Sequence, residues 1–180
     1  MSRFKINPLL WELVEAHKKA RRAELAEALD ACGLPHTGGP IFGVEFVSVD
    51  ANNYWPEPGG RPALIVPYFD GGRLLDLVAC GFATRTCRTR EGICTTLGTE
   101  HIDRARDSEG QLRLYSDPLE WLHHGRTGAC VIDWRAARFD LADMPAIACS
   151  SDMLAANVEK ALRQPVKLPA LFVREAAHAA

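Results

Sequence analysis

A chain of 180 residues, 47% hydrophobic and 24% charged, has enough apolar content to bury one core and too much to stay disordered. Its formal net charge of -2 excludes an overall basic field of the kind that holds a protein on a phosphate backbone, so any contact with nucleic acid has to be local. The opening Met1-Ser2-Arg3-Phe4-Lys5 lacks the apolar run of a secretory leader, and no later run approaches the roughly 18 residues needed to span a bilayer. The expectation is a cytoplasmic chain with no membrane partner and with its six cysteines reduced.

In chain order, Asn7 as cap, Pro8 at the first helical position and an apolar stripe through Leu9, Leu13, Leu25 and Leu29 predict one amphipathic helix over 8–32, stopped by Gly33. Its other face mixes Lys18, Lys19, Arg21 and Arg22 with Glu15, Glu24 and Glu27, the pattern of a solvated surface. Residues 41–50 alternate as a strand with Ile41, Val47 and Val49 on one side, although Gly43 interrupts it. Residues 52–60 are dense in turn formers and carry Tyr54 and Trp55, aromatics that either fold back on the core or offer a stacking surface. Two hairpins follow: 61–70 with 73–82 around Gly71-Gly72, and 85–90 with 93–97 around Glu91-Gly92. Together 41–97 reads as an antiparallel meander of four or five strands.

The second half, 99–164, changes to an α/β rhythm. Helices are expected over 99–106, 117–124 and 151–163, with strands over 129–133 and 146–149. Asp117-Pro118-Leu119-Glu120 is a well-formed helix start, and 165–180 reads as a tail that frays. The whole is one domain of α/β or α+β class: a leading helix, a meander, and a small β-α-β-like C-terminal half.

Chemistry is sparse. The six cysteines and six histidines form no C-x-x-C and no H-x-x-x-H, and no G-x-S-x-G, Walker loop or G-x-G-x-x-G occurs. No cofactor is expected. Cys80, Cys87 and Cys94 read as small apolar residues. Two constellations stand out. Asp133 and Asp152 each follow an apolar strand; were those strands parallel neighbours, both carboxylates would sit on the carboxyl edge where open α/β sheets place ligands, though each also suits a turn or a helix cap. Arg85, Arg88 and Arg90, with Tyr54 and Trp55, are the local candidates for binding an acidic partner; strand alternation puts Arg88 and Arg90 on one face and Arg85 apart from them. Arginines that guard a sheet edge are the alternative reading.

The stretch Asp76-Leu77-Val78-Ala79, the Leu97-Gly98 turn, Asp117-Pro118-Leu119-Glu120-Trp121-Leu122, Gly125, Gly128 and Val131-Ile132-Asp133 resembles uncharacterised proteins of bacterial prophage-type regions, over about a third of the chain. That resemblance implies a mobile-element or DNA-metabolism setting and assigns no residue a role. Residues 128–162 are similar to the first β-α-β part of the Toprim fold of primases and topoisomerases, with Asp133 where that family has a glutamate. No D-x-D follows Asp152, so this resemblance implies an inactive copy. The function expected is a non-catalytic accessory or interaction protein with an unidentified protein partner. The alternatives are nucleic-acid contact, a metal-dependent phosphotransfer or nuclease-like enzyme using Asp133 and Asp152, and a structural homodimer paired through a meander edge.

Overall fold

A computed structural model of the chain describes residues 7–20, 23–34 and 42–163. Arg21, Arg22, the expected strand start at Ile41 and the 165–180 tail lie outside the described residues.

The leading helix is two helices. α1 (Pro8–Lys19) is capped by the Asn7 side chain, which accepts the Leu9 N–H at 3.0 Å, and α2 spans Ala23–Ala31. The single helix expected over 8–32 is corrected for a physical reason: Leu9, Leu13 and Ala16 of α1 enter one hydrophobic cluster, whereas Ala20 and Leu29 enter another on the far side of a sheet. One straight rod cannot serve both.

That sheet contains β1 (Gly43–Val49), β2 (Tyr54–Pro56), β3 (Arg61–Asp70), β4 (Arg73–Gly81) and β5 (Cys87–Thr89), in the order β2-β1-β3-β4-β5, and every strand-to-strand ladder is antiparallel. The β3–β4 hairpin is as expected: Gly71 and Gly72 take φ of +53° and +77°, which a tight turn of this kind needs from both central residues. Its strands are buried on both faces, which explains the continuous apolar runs of Ala63–Val66 and Leu77–Cys80. Ala63, Ile65, Leu77 and Ala79 meet α1, while Leu64, Val66, Val78 and Cys80 point the other way. Gly43, which weakened the strand in sequence, sits where α1 crosses β1: a Cβ there would come within 2.5 Å of the Ala16 backbone. Val49, expected on the same side as Val47, is 55% exposed at the end of β1, whereas Val47 is buried.

The second expected hairpin does not form. After β5 the chain leaves the first sheet, and β6 (Thr96–Leu97) pairs with β8 (Ala129–Val131) in a second sheet of order β6-β8-β7-β9. Here β7 (Gln111–Tyr115) lies between β8 and β9 (Ala146–Cys149), parallel to both. α3 (Thr99–Asp107), α5 (Ala137–Leu141) and α6 (Asp152–Arg163) cover one face through Ile102, Ala105, Leu141, Leu154 and Val158. The other face, with Leu97, Tyr115 and Cys130, and α4 (Pro118–His123) with Leu119 and Trp121, pack against the first sheet. The class is α+β, with a leading helix, an antiparallel five-stranded sheet and a mixed sheet with helices. β2, within residues 52–60 read as turn, and β7 and α5 are additions to the expected elements. Among the described residues no helix is long and apolar enough to cross a membrane.

Candidate functional site

The chain's departure from β5 is organised by one buried carboxylate. Asp76 lies in β4 opposite Tyr68, on the face that meets the second sheet, and has no exposed surface. Its Oδ1 accepts the backbone N–H groups of Leu77, Arg90 and Glu91 at 2.8, 3.0 and 2.9 Å, and its Oδ2 accepts those of Ile93 and Cys94 at 2.7 and 2.9 Å. A carboxylate offers about four lone-pair sites, so these donors saturate it. Residues 90–94 therefore wrap around Asp76, aided by Gly92 at φ +75°, where a strand turn would otherwise return. A lone aspartate inside the otherwise apolar run 74–81 is the sequence signal for this device.

The wrapped segment forms one wall of a polar cleft of about 510 Å³, contributing Gly92, Cys94 and Thr95. Asn52 and Asn53 of the β1–β2 turn, Cys87 and Arg88 of β5, and Asp133 with Arg135 beyond β8 complete it. The two edges of the first sheet meet here. Asn53 bridges to Thr89, its Nδ2 donates to the Arg90 carbonyl at 3.0 Å, and the Arg88 Nε donates to the Asp50 carbonyl at 3.1 Å. Thr95 ties in the second sheet by accepting the N–H groups of Ile132 and Asp133 at 2.8 and 3.0 Å.

The cations of the 85–90 stretch have separate fates. Arg85 takes φ +56° and reaches Asp117 at 3.6 Å, beside α4. Arg90 crosses to α1 and donates from Nε to Glu12 at 3.0 Å. Arg88 is held by two main-chain oxygens, with Nη1 donating to the Cys87 carbonyl at 2.7 Å. Among the described residues no carboxylate lies within ion-pair distance of it. Arg88 is thus aimed by the backbone, and its charge, behind the Asn53 and Asn52 N–H groups, helps hold the exposed Asp50 carboxylate below its ordinary pKa without forming an ion pair with it.

Tyr54 is fully buried, and this corrects its expected place on a binding surface: its hydroxyl donates to Glu12 at 2.8 Å, joining Arg90 on the same carboxylate. Trp55, one residue on, is 41% exposed on the edge strand, away from the cleft lining. Burial, and then the Glu12 charge and hydrogen bond, push the Tyr54 phenol well above its ordinary value. A pKa raised by folding stabilises the fold fully below the unfolded value near 10 and loses that contribution as pH climbs toward the folded value. The wild type should therefore lose up to about 1.4 kcal/mol per pH unit from this group above pH ~10. Tyr54→Phe should lack that component. Urea midpoints of both chains between pH ~9 and ~11 check it; Cys80, Cys94 and Cys130, whose thiols burial or hydrogen bonding also pushes up, add the same slope to both and cancel in the difference.

Asp133 and Asp152 do not converge as expected of adjacent strands. β8 and β9 are parallel, but β7 separates them, so the two strand ends stand roughly 10 Å apart at the usual spacing of about 4.8 Å per strand. Asp133 receives the Arg135 N–H and Nε at 3.0 and 3.1 Å on one oxygen and Nη2 at 3.3 Å on the other. Burial opposes its ionisation, yet the Arg135 hydrogen bonds and charge hold its pKa below the ordinary value. Asp152 opens α6 and is exposed. The crevice between β7 and β9, where the sheet order reverses, holds Ser116, Ser150, Ser151 and Glu120. Ser150 donates to Glu120 at 2.9 Å, and Ser116 Oγ lies 3.3 Å from Ser150 Oγ. Among the described residues no group of three or more His, Cys, Asp or Glu side chains is arranged to hold a metal ion.

Comparison of the chain with protein-family models, with curated proteins and with solved structures gives no match.

Proposed function

We propose that this chain is a non-catalytic interaction module that receives a carboxylate of an acidic protein segment in the Arg88 cleft. The observation that carries this reading is the guanidinium fixed by the Asp50 and Cys87 carbonyls, with no carboxylate within ion-pair distance among the described residues and Asp50 interacting only through space. A planar guanidinium held in one orientation suits the bidentate geometry of a carboxylate, and the cost of ordering it is met before binding. The opposite wall carries the Asp133–Arg135 pair, a mixed-charge surface that suits a polar peptide better than a polyanion. A phosphate backbone calls for a track of cations, and Arg85 and Arg90 are committed to Asp117 and Glu12. The nucleic-acid reading is weaker for that reason.

The enzymatic alternative loses its geometric support with β7 between the two aspartate-bearing strands. The edge-paired homodimer is the weaker alternative, since an isolated bridge from Asn53, just before β2, to Thr89 of β5 engages part of the first sheet's edge. A mobile-element setting rests on the resemblance of 76–133 alone and remains part of the proposal on that footing.

Binding of a capped, fluorescent Asp/Glu-rich peptide, measured by anisotropy at fixed low salt, tests the reading. Arg88→Ala should weaken binding roughly 10- to 100-fold, the worth of a charge-assisted hydrogen-bond pair, with thermal stability little changed. Arg88→Lys, which keeps charge without the fork, should fall between. Free acetate or succinate competing as well as the peptide would point to a small carboxylate ligand. Equal affinity of wild type and Arg88→Ala would remove the proposal.

A further inference from the structure

Cys80 and Cys87 are opposite each other across β4 and β5. The ladder here places its main-chain bonds at the flanking odd-numbered pairs, Gly81 N–H to the Thr86 carbonyl at 3.1 Å and Arg90 N–H to the Leu77 carbonyl at 2.8 Å. Cys80 and Cys87 therefore form a non-hydrogen-bonded pair, the kind whose Cα atoms approach to about 4.5 Å with side chains on one face. That spacing falls at the short end of the range a disulfide spans, about 4.4–6.8 Å. The two sulfurs differ in access: Cys80 is fully buried between the sheets, whereas Cys87 is partly exposed and lines the cleft. A hydrogen bond to Cys87, and then burial, push the Cys80 thiol well above its ordinary value, while the Cys87 thiol also donates to the Arg85 carbonyl at 3.7 Å.

We propose that Cys80 and Cys87 are a redox-active thiol pair, oxidised by low-molecular-weight disulfides that reach Cys87 through the cleft. Cys87 Sγ, as thiolate, attacks one sulfur of the reagent, forming a mixed disulfide and releasing one thiol. Cys80 Sγ then attacks Cys87 Sγ, breaking the mixed bond and expelling the second thiol, and the leaving thiolate takes the Cys80 proton. Two protein thiols are oxidised to one disulfide while one reagent disulfide is reduced to two thiols. In a reducing compartment the pair stays open, and such pairs there are typically transient and sensory. Closure would bind the edge strand β5 covalently to β4 one residue before Arg88, and it does not depend on what the cleft binds.

The experiment treats the native full-length protein with glutathione disulfide, quenches with acid, alkylates under denaturing conditions and digests with trypsin. Cleavage after Arg73, Arg85 and Arg88 separates the peptide of residues 74–85, which holds Cys80, from that of residues 86–88, which holds Cys87. The expected product links these two peptides, lighter by two hydrogens than their sum, while Cys32, Cys94, Cys130 and Cys149 are alkylated. Cys80→Ser should stop at a glutathione adduct on Cys87, and Cys87→Ser should leave Cys80 unmodified. Full alkylation of both thiols in the treated wild type, or a link joining Cys94 to Cys130 in place of this one, would overturn the proposal.

Discussion

Asp76→Ala should cost about 3–5 kcal/mol of unfolding free energy, a large share of the 5–15 kcal/mol that domains of this size possess. Five backbone N–H groups converge on the two carboxylate oxygens, and four of them belong to residues 90–94; of those four, Arg90 also donates to the Leu77 carbonyl at 2.8 Å, whereas Glu91, Ile93 and Cys94 lie outside the strands of both sheets. Removing the acceptor leaves the Glu91, Ile93 and Cys94 donors without it in a partly buried setting, where each unsatisfied group costs about 1–3 kcal/mol before the loop relaxes toward water. Asp76→Asn keeps the shape but turns an NH2 toward two of the donors, so it should recover little of the loss. Guanidinium denaturation measures the first effect. Hydrogen exchange should show amides 91, 93 and 94 losing protection before the strands do. A loss below about 1 kcal/mol would mean the segment is held by other contacts.

Trp121→Ala should be comparably severe, about 3–5 kcal/mol. The indole is almost wholly buried where α4 packs between the sheets, and its Nε1–H donates to the Gly128 carbonyl at 3.0 Å. That carbonyl stands where two glycines meet. A Cβ on Gly98 would come within 2.2 Å of the Gly128 oxygen, and one on Gly128 would come within 2.5 Å of the Arg113 oxygen. The Arg126 guanidinium lies over the ring at 5.4 Å from its centroid. The indole therefore anchors the junction of β6, β7 and β8 as well as filling volume. Trp121→Phe retains most of the packing and loses the donor, so it should cost clearly less than the alanine variant. Thermal denaturation of the three chains gives the ranking, and equal losses in both variants would assign the whole effect to the hydrogen bond.

Elements whose interacting residues are close in the chain carry their signals locally. Gly71-Gly72 between two apolar runs gives its hairpin directly, and Asp117 caps α4 by accepting the Leu119 and Glu120 N–H groups at 2.9 and 3.1 Å. Glu120 reaches back to the Ser116 N–H at 2.8 Å, one position earlier than a capping box would have it. Failures arose where a partner lies far along the chain. The β-branched run 93–97 suits a strand, but Asp76, 14 to 18 positions earlier, captures the preceding amides and sends it to the other sheet. β7 alternates as Gln111-Leu112-Arg113-Leu114-Tyr115, with Leu112 and Leu114 buried; the pattern is short and follows a helix directly, yet it is the strand that keeps Asp133 and Asp152 apart. Arg85, Arg88 and Arg90 were equivalent as charges in sequence. Their difference comes from Asp117 and Glu12, one 32 positions downstream and the other 78 upstream.

The central claim is that the Arg88 cleft is where an acidic partner docks, and a titration of the 15N-labelled protein with the capped acidic peptide tests it most directly. Amide shifts should concentrate at residues 51–53, 87–89, 92–95 and 132–135, on both sides of the meeting sheet edges, and should vanish in Arg88→Ala. Shifts gathered around the exposed Trp55 or the Ser116, Ser150 and Ser151 crevice, and unchanged by that substitution, would contradict it.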